Sequence, residues 1–236
     1  MSNSGSGIGR VGVILGGIAA VAFLAGPLLA FLGIVPPLTG FSIFGLGGLL
    51  GLITLVLSLF VLWRHGFSTA AGGLRLGSAI SFIFILLALP GRNVPRINDI
   101  TTDTQQPPQF LQAPNLPGNE GRDMSYPGES FAQQQKEGYP GLKAHALAEP
   151  PAAAFERVTR AANEMPDWEI TRTDPVALTI EGFSTSRLFR FQDDFIVEVR
   201  PADGGSVVQM RSKSRVGRGD VGANAARIEA FFEKLG

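Results

Sequence analysis

The side chains best suited to chemistry gather near the C-terminal end of the chain. Arg211, Arg215, Arg218 and Arg227 lie there, with Lys213 and Asn224 among them. Arg215, Arg218 and Arg227 flank a point where a strand should feed a helix. Helix N-termini carry free N–H groups and the positive end of the helix dipole, and both attract anions. A phosphate, a carboxylate or a protein partner would fit there, so Arg211, Arg215, Arg218, Arg227 and Asn224 are the candidate anion- or partner-binding residues. The competing reading is structural. In it the guanidinium groups hold Asp220, backbone carbonyls, or two acids from an upstream segment, Asp99 and Asp103. Asp193 and Asp194 form the one tandem carboxylate. Neighbouring strand residues point to opposite faces, so these two cannot share a substrate as an acid/base pair unless a turn twists them together. The plainer reading is a polar hairpin turn.

Other chemistries lack their residues. The only histidines are His65 and His145, and there is no cysteine, so no metal-ligand spacing exists and neither metal nor cofactor is expected. No G-x-S-x-G elbow or Walker loop occurs. Gly7, Gly9 and Gly12 match G-x-G-x-x-G, but no strand precedes them and a lipid-facing helix follows, which removes the dinucleotide reading. Arg218, Gly219 and Asp220 spell a cell-adhesion tripeptide, yet Asp220 is better explained as a helix cap.

Charge then separates the chain into two regimes. The 20 acidic and 20 basic side chains balance, but every carboxylate lies at or beyond Asp99. The first 98 residues carry only Arg10, Arg64, Arg75, Arg92 and Arg96, which leaves 15 basic against 20 acidic groups in the remainder. A single soluble globule is excluded, and so is a strongly basic nucleic-acid binder. Residues 11–35 and 41–63 are uncharged runs longer than the ~20 residues that cross a bilayer. Pro36 and Pro37 sit between them, so the pair should form a helical hairpin. A third, shorter run spans if Arg75 snorkels and the helix starts near residue 70, giving 70–89. The first segment is too long for the ~7–15-residue core of a cleaved signal and reads as an anchor. With Arg10, Arg64 and Arg75 on one side and Arg92 and Arg96 on the other, the N-terminus is expected in the cytoplasm and the C-terminal region outside it. Gly12 with Gly16, Gly47 with Gly51 and Gly73 with Gly77 have small-xxx-small spacing. Such faces pack helices within a chain or join copies into a homo-oligomer.

Residues 92–150 are polar and proline-rich, and they cannot bury a core of their own. They are expected to form an extended strap, with Phe110, Tyr126, Phe131 and Tyr139 as docking aromatics. Residues 151–236 read as a two-layer α+β domain in the order α-β-β-β-β-α. A helix opens at Pro150 and Pro151, with Phe155, Val158, Ala162 and Met165 on one stripe. Strands over 168–173, 176–184, 194–201 and 206–214 should form an antiparallel meander, and a helix over 221–235 follows, with Asp220 as its N-cap. Leu178, Ile180, Phe195, Val197, Val199, Val208 and Met210 alternate onto one greasy face. Thr179, Glu181, Glu198, Arg200, Arg211 and Lys213 fall on the other, which is expected to be an open face solubilised by cross-strand ion pairs.

Several of these stretches together resemble the bacterial domain of unknown function 1499 family. The marks are residues 98–103 followed by Pro107 and Pro108, then Tyr139 with Pro140, Trp168, and residues 191–194. The most specific mark is the run from Arg211 through Arg215 to Arg227 and Ile228. The likeness covers about residue 96 onward. It implies an α+β domain and membrane association, and it carries no established activity. Glu198 departs from the pattern, where relatives are expected to be basic.

The expected protein is therefore a membrane-anchored bacterial envelope protein of the inner membrane, with a periplasmic C-terminal domain that binds a protein partner or a small anionic ligand without catalysis. Its partners would be the lipid bilayer and that ligand, and not nucleic acid. The rival is an enzyme acting on an envelope substrate through Asp193 or Asp194 and Arg215. The absence of any carboxylate within the spans argues against an ion-coupled transporter.

Overall fold

The computed structural model describes residues 3–89 and 93–236, so Arg92 and the expected domain boundary at 91 lie outside the described residues. Two compact units result, Met1–Arg92 with Arg187–Arg190, and Asn93–Ser186 with Phe191–Gly236.

The first unit is built on three helices long and apolar enough to cross a membrane: α1 (Asn3–Phe31), α2 (Pro37–His65) and α3 (Phe67–Ala88). The helix of the first run ends at Phe31 rather than 35. Gly33 adopts φ +70°, its N–H donates to Ala30 and that of Ile34 to Leu29, which closes the helix in a Schellman motif. Pro37 opens α2, where a missing N–H is harmless. Gly66 alone joins α2 to α3, which lets the third helix begin at Phe67, earlier than the expected 70. All six small-xxx-small glycines face another helix of the same chain. Gly12 and Gly73 meet each other and Ser58, Gly16 meets Leu76, Gly47 meets Phe23, Gly51 meets Ile80, and Gly77 meets Leu55. The missing side chains let the backbones approach closely, where dispersion rather than hydrophobic burial drives association in lipid.

The second unit contains the expected meander, now β3 (Trp168–Asp174), β4 (Thr179–Thr185), β5 (Gln192–Ala202) and β6 (Gly205–Ser214), between α5 (Pro151–Asn163) and α6 (Ala223–Leu235). The sheet has six strands rather than four. The strap contributes β1 (Asp99–Thr101) and β2 (His145–Leu147), both antiparallel to β6, and the order is β1-β6-β5-β4-β3 with β2 also on β6. The strap also holds a 3₁₀ turn (Ala113–Asn115) and α4 (Glu129–Gly138), so the expectation of a wholly extended segment fails. Its composition rules out an independent core, but three-residue pieces can still pair with the open edge of β6.

Two boundaries shift for local reasons. The Asp174 carboxylate accepts the N–H groups of Val176 and Ala177, forming a turn that delays β4 to Thr179. β5 starts at Gln192, so Asp193 and Asp194 are strand residues and not a hairpin turn. The apolar face carries Ile180, Phe195, Val197, Val199, Val208 and Met210, and α5 and α6 cover it with Phe155, Val158, Ile228 and Phe231. Trp168 stacks at 3.9 Å between centroids on Phe195 and at 5.1 Å on Phe231. Gly182 is required beneath this stack, because a Cβ there would strike the Glu169 carbonyl and the Phe195 ring.

The charged face is not open. The strap lies across it, with Phe110, Ala113 and Met124 packing on Ile196 in a second small core, and Glu181, Asp194 and Arg211 are buried beneath. Alternation separates polar from apolar residues but does not determine which face is wet. The domain is therefore layered as helices, sheet and strap, and the strap is structural. A fragment spanning 93–236 is expected to unfold cooperatively and give dispersed amide resonances, whereas one starting at 125 should do neither. Equal stability of the two by denaturant titration would refute the third layer.

Candidate functional site

β1 runs beside β6 so that Asp99 faces Lys213 and Thr101 faces Arg211. Asp99 and Arg211 are both 0% exposed, and their side chains meet as a bidentate fork, Nε to Oδ1 at 2.9 Å and Nη2 to Oδ2 at 2.8 Å. Arg211 also donates to the carbonyls of Pro108 and Met124, while the Lys213 ammonium reaches the same Asp99 oxygen at 2.8 Å. The guanidinium carbon Cζ lies 4.8 Å from the Phe110 ring centroid and 5.5 Å from that of Tyr126. A buried pair is favourable only when its remaining donors are satisfied, and here the strap backbone satisfies them.

Alternation along β5 separates the tandem carboxylates, as expected, but both are engaged. Asp194 points to the strap side. It accepts Nε and Nη2 of Arg215, the closer at 2.6 Å, and the Asn119 amide at 2.8 Å. Arg215 further donates to the Pro117 carbonyl and to Gln192 Oε1 and stacks over Phe183. Asp193 points to the helix side and binds Arg227 at 2.6 Å. The other arm of Arg227 donates to Ser212 and to Asn224 Oδ1, and the buried Asn224 amide donates to Ser214 Oγ and the Asn98 carbonyl. The N-cap of α6 is Gly222 rather than the expected Asp220, which lies two residues earlier and accepts the N–H groups of Gly222 and Asn224. The helix starts at Ala223, two residues later than expected, because Val221 and Gly222 adopt positive φ.

The candidate residues thus divide. Arg211, Arg215, Arg227 and Asn224 are buried or nearly so and hold carboxylates and backbone of their own domain. Arg218 is exposed and does not join them. Of the strap acids, Asp99 binds within the arginine-rich run and Asp103 binds Arg200 at 2.8 Å instead. Burial works to raise the Asp103 pKa, but the N–H groups of Gln106 and Gln105 and the Arg200 guanidinium outweigh it and hold it below the ordinary value. Sequence reasoning missed Glu181 as an organiser. Its carboxylate receives the backbone N–H groups of Leu111, Gln112 and Ala113 at the head of the 3₁₀ turn, a role that no spacing signals. Asn119 and Arg122, which close over Asp194 and Ser214, were equally invisible. Among the described residues no cluster of His, Asp or Glu could hold a metal ion.

Removing one partner of a buried pair strands the other. Arg211→Ala is therefore expected to lower unfolding free energy by ~3–5 kcal/mol, and Arg215→Ala by a similar amount, with Arg218→Ala within about 0.5 kcal/mol of the parent. Chemical denaturation measures all three. Burial first, and the nearby Asp99 charge second, push the Tyr126 hydroxyl up to about 12. A folded pKa raised above the unfolded value near 10 gives stability that is complete below pH ~10 and lost as pH rises toward 12. The Tyr126 hydroxyl has no hydrogen-bond partner among the described residues. Tyr126→Phe should therefore be neutral or mildly stabilising at pH 7 and should flatten the alkaline loss.

No curated protein and no solved structure matches the chain. The family model described as protein of unknown function (DUF1499) matches residues 99–235, from the buried aspartate of β1 to the last residue of α6, and the chain belongs to that family.

Proposed function

We propose that the protein is a membrane-anchored module of the bacterial envelope, held in the inner membrane with its C-terminal domain in the periplasm, and that this domain binds a partner rather than catalysing a reaction. The observation that supports this reading is the division within the arginine-rich run. Arg211, Arg215 and Arg227 are closed onto carboxylates, while Arg218 stands exposed between the exposed Val216 and Val221. General acid or base catalysis needs a group within reach of substrate. Asp193 and Asp194 are instead enclosed by Arg227, Arg215 and Asn119. The loop 216–221 offers one guanidinium flanked by apolar side chains on a rigid base, which suits a carboxylate or phosphate carried by a protein partner or a small anionic ligand. The side of the membrane follows from the excess of arginines at the N-terminal end of the bundle.

A photo-crosslinking residue at Val216 in intact cells, in a chain whose C-terminal alkaline phosphatase fusion is active, should yield a discrete adduct that Arg218→Glu removes. The same residue at Val176 should not. An inactive fusion overturns the orientation, and no adduct at 216 overturns the binding surface. The enzyme reading makes the opposite demand: Asp193→Asn or Asp194→Asn would abolish function in a chain that stays folded, whereas in a binding module these two substitutions cost function only as they cost stability.

A further inference from the structure

We propose that the N-terminal end of the helical bundle is a binding site for an anionic phospholipid, with the headgroup held by Arg10 and Arg64 and one acyl chain seated in the crevice between α1, α2 and α3. The topology places the start of α1, the end of α2 and the start of α3 together, since Gly9 abuts Thr69 and Gly12 meets Ser58 and Gly73. Arg10 and Arg64 are exposed at that end, beside the exposed His65, while Arg75 lies about two turns into α3 and away from the crevice. No carboxylate occurs in the first 98 residues, so nothing in this segment neutralises them.

Between the same three helices lies a crevice of about 210 Å³. Its floor includes the buried Ser58, Val61 and Ala70, and its rim includes the exposed Ile8, Leu57 and Phe60. The lining is almost wholly apolar, as a hydrocarbon guest requires, and an apolar cavity of ~150 Å³ already admits benzene in another protein. Arg10 adjoins the crevice residues Gly9 and Val11, and Arg64 lies three residues beyond Val61, about one helical turn. Cations thus stand where a headgroup must lie if its chain enters the crevice. A zwitterionic lipid would fill the space but leave the cations uncompensated, so charge complementarity selects an anionic one.

The test uses the full chain in nanodiscs of phosphatidylcholine with a minority of phosphatidylglycerol, followed by quantification of the lipid retained on gentle detergent extraction. Phosphatidylglycerol should be enriched over its bulk fraction, by about fivefold per engaged arginine at most. The enrichment should be lost in the Arg10→Gln, Arg64→Gln double variant and kept when lysine replaces both arginines. Ala70→Leu, which fills the crevice floor, should reduce retention while the arginines remain; Ala70→Val serves if leucine disrupts the bundle. Retention at the bulk ratio, or enrichment that survives the glutamine double variant, overturns the headgroup site. Enrichment indifferent to both Ala70 variants in a folded bundle overturns the acyl-chain seat.

Discussion

The fully buried fork between Asp99 and Arg211 is the contact on which the α+β domain depends. Two charges taken out of water cost several kcal/mol each before their attraction is counted. The debt is met only if the fork is well aligned and the remaining donors find acceptors. Pro108 and Met124 supply those acceptors from the strap, and Phe110 and Tyr126 supply the aromatic walls. The strap therefore has to lie where it does, and once it does, the charged side of the sheet becomes interior.

Strand alternation then distributes the rest of the charge. Asp194 faces the strap layer and Asp193 the helix layer, so one dipeptide of β5 anchors both, through Arg215 on one side and Arg227 on the other. Asn224 and Ser212 join α6 to the same network. Each layer is tied to the pair β5–β6 by interactions in low dielectric, where a satisfied network is strong and a broken one costly. Such a domain is a stiff support, and its reactive-looking groups are occupied in holding it together. Within the arginine-rich run, Arg218 stays outside this closure.

The membrane unit follows the opposite rule. Its helices associate through glycine-lined approaches and hold no acid, so the cations at one end have no counter-charge in that segment. Electrostatics in the α+β unit is settled inside the protein; the helical unit has no acid with which to settle its own.

Much of this was legible in the residues themselves. Uncharged runs identify the three helices, because lipid admits few alternatives to a self-satisfied backbone. Period-two alternation identifies the meander and its apolar face, and the period of α5 and α6 identifies what covers that face. The separation of Asp193 from Asp194 also follows from alternation alone. What the chain did not disclose was the strap. β1 and β2 are three residues each, too short for any periodic signal, and they exist because β6 offers unpaired groups at its edge. The burial of Glu181, Arg211 and Asp194 was equally hidden, since a charged side chain reads as solvated unless its partners are known. Those partners are Leu111, Asn119 and Asp99, between 70 and 112 positions away in the chain. Local sequence sets which residues share a face of a helix or strand; only the closed tertiary structure determines whether that face meets water or another layer, because that depends on contacts between segments whose separation leaves no local trace.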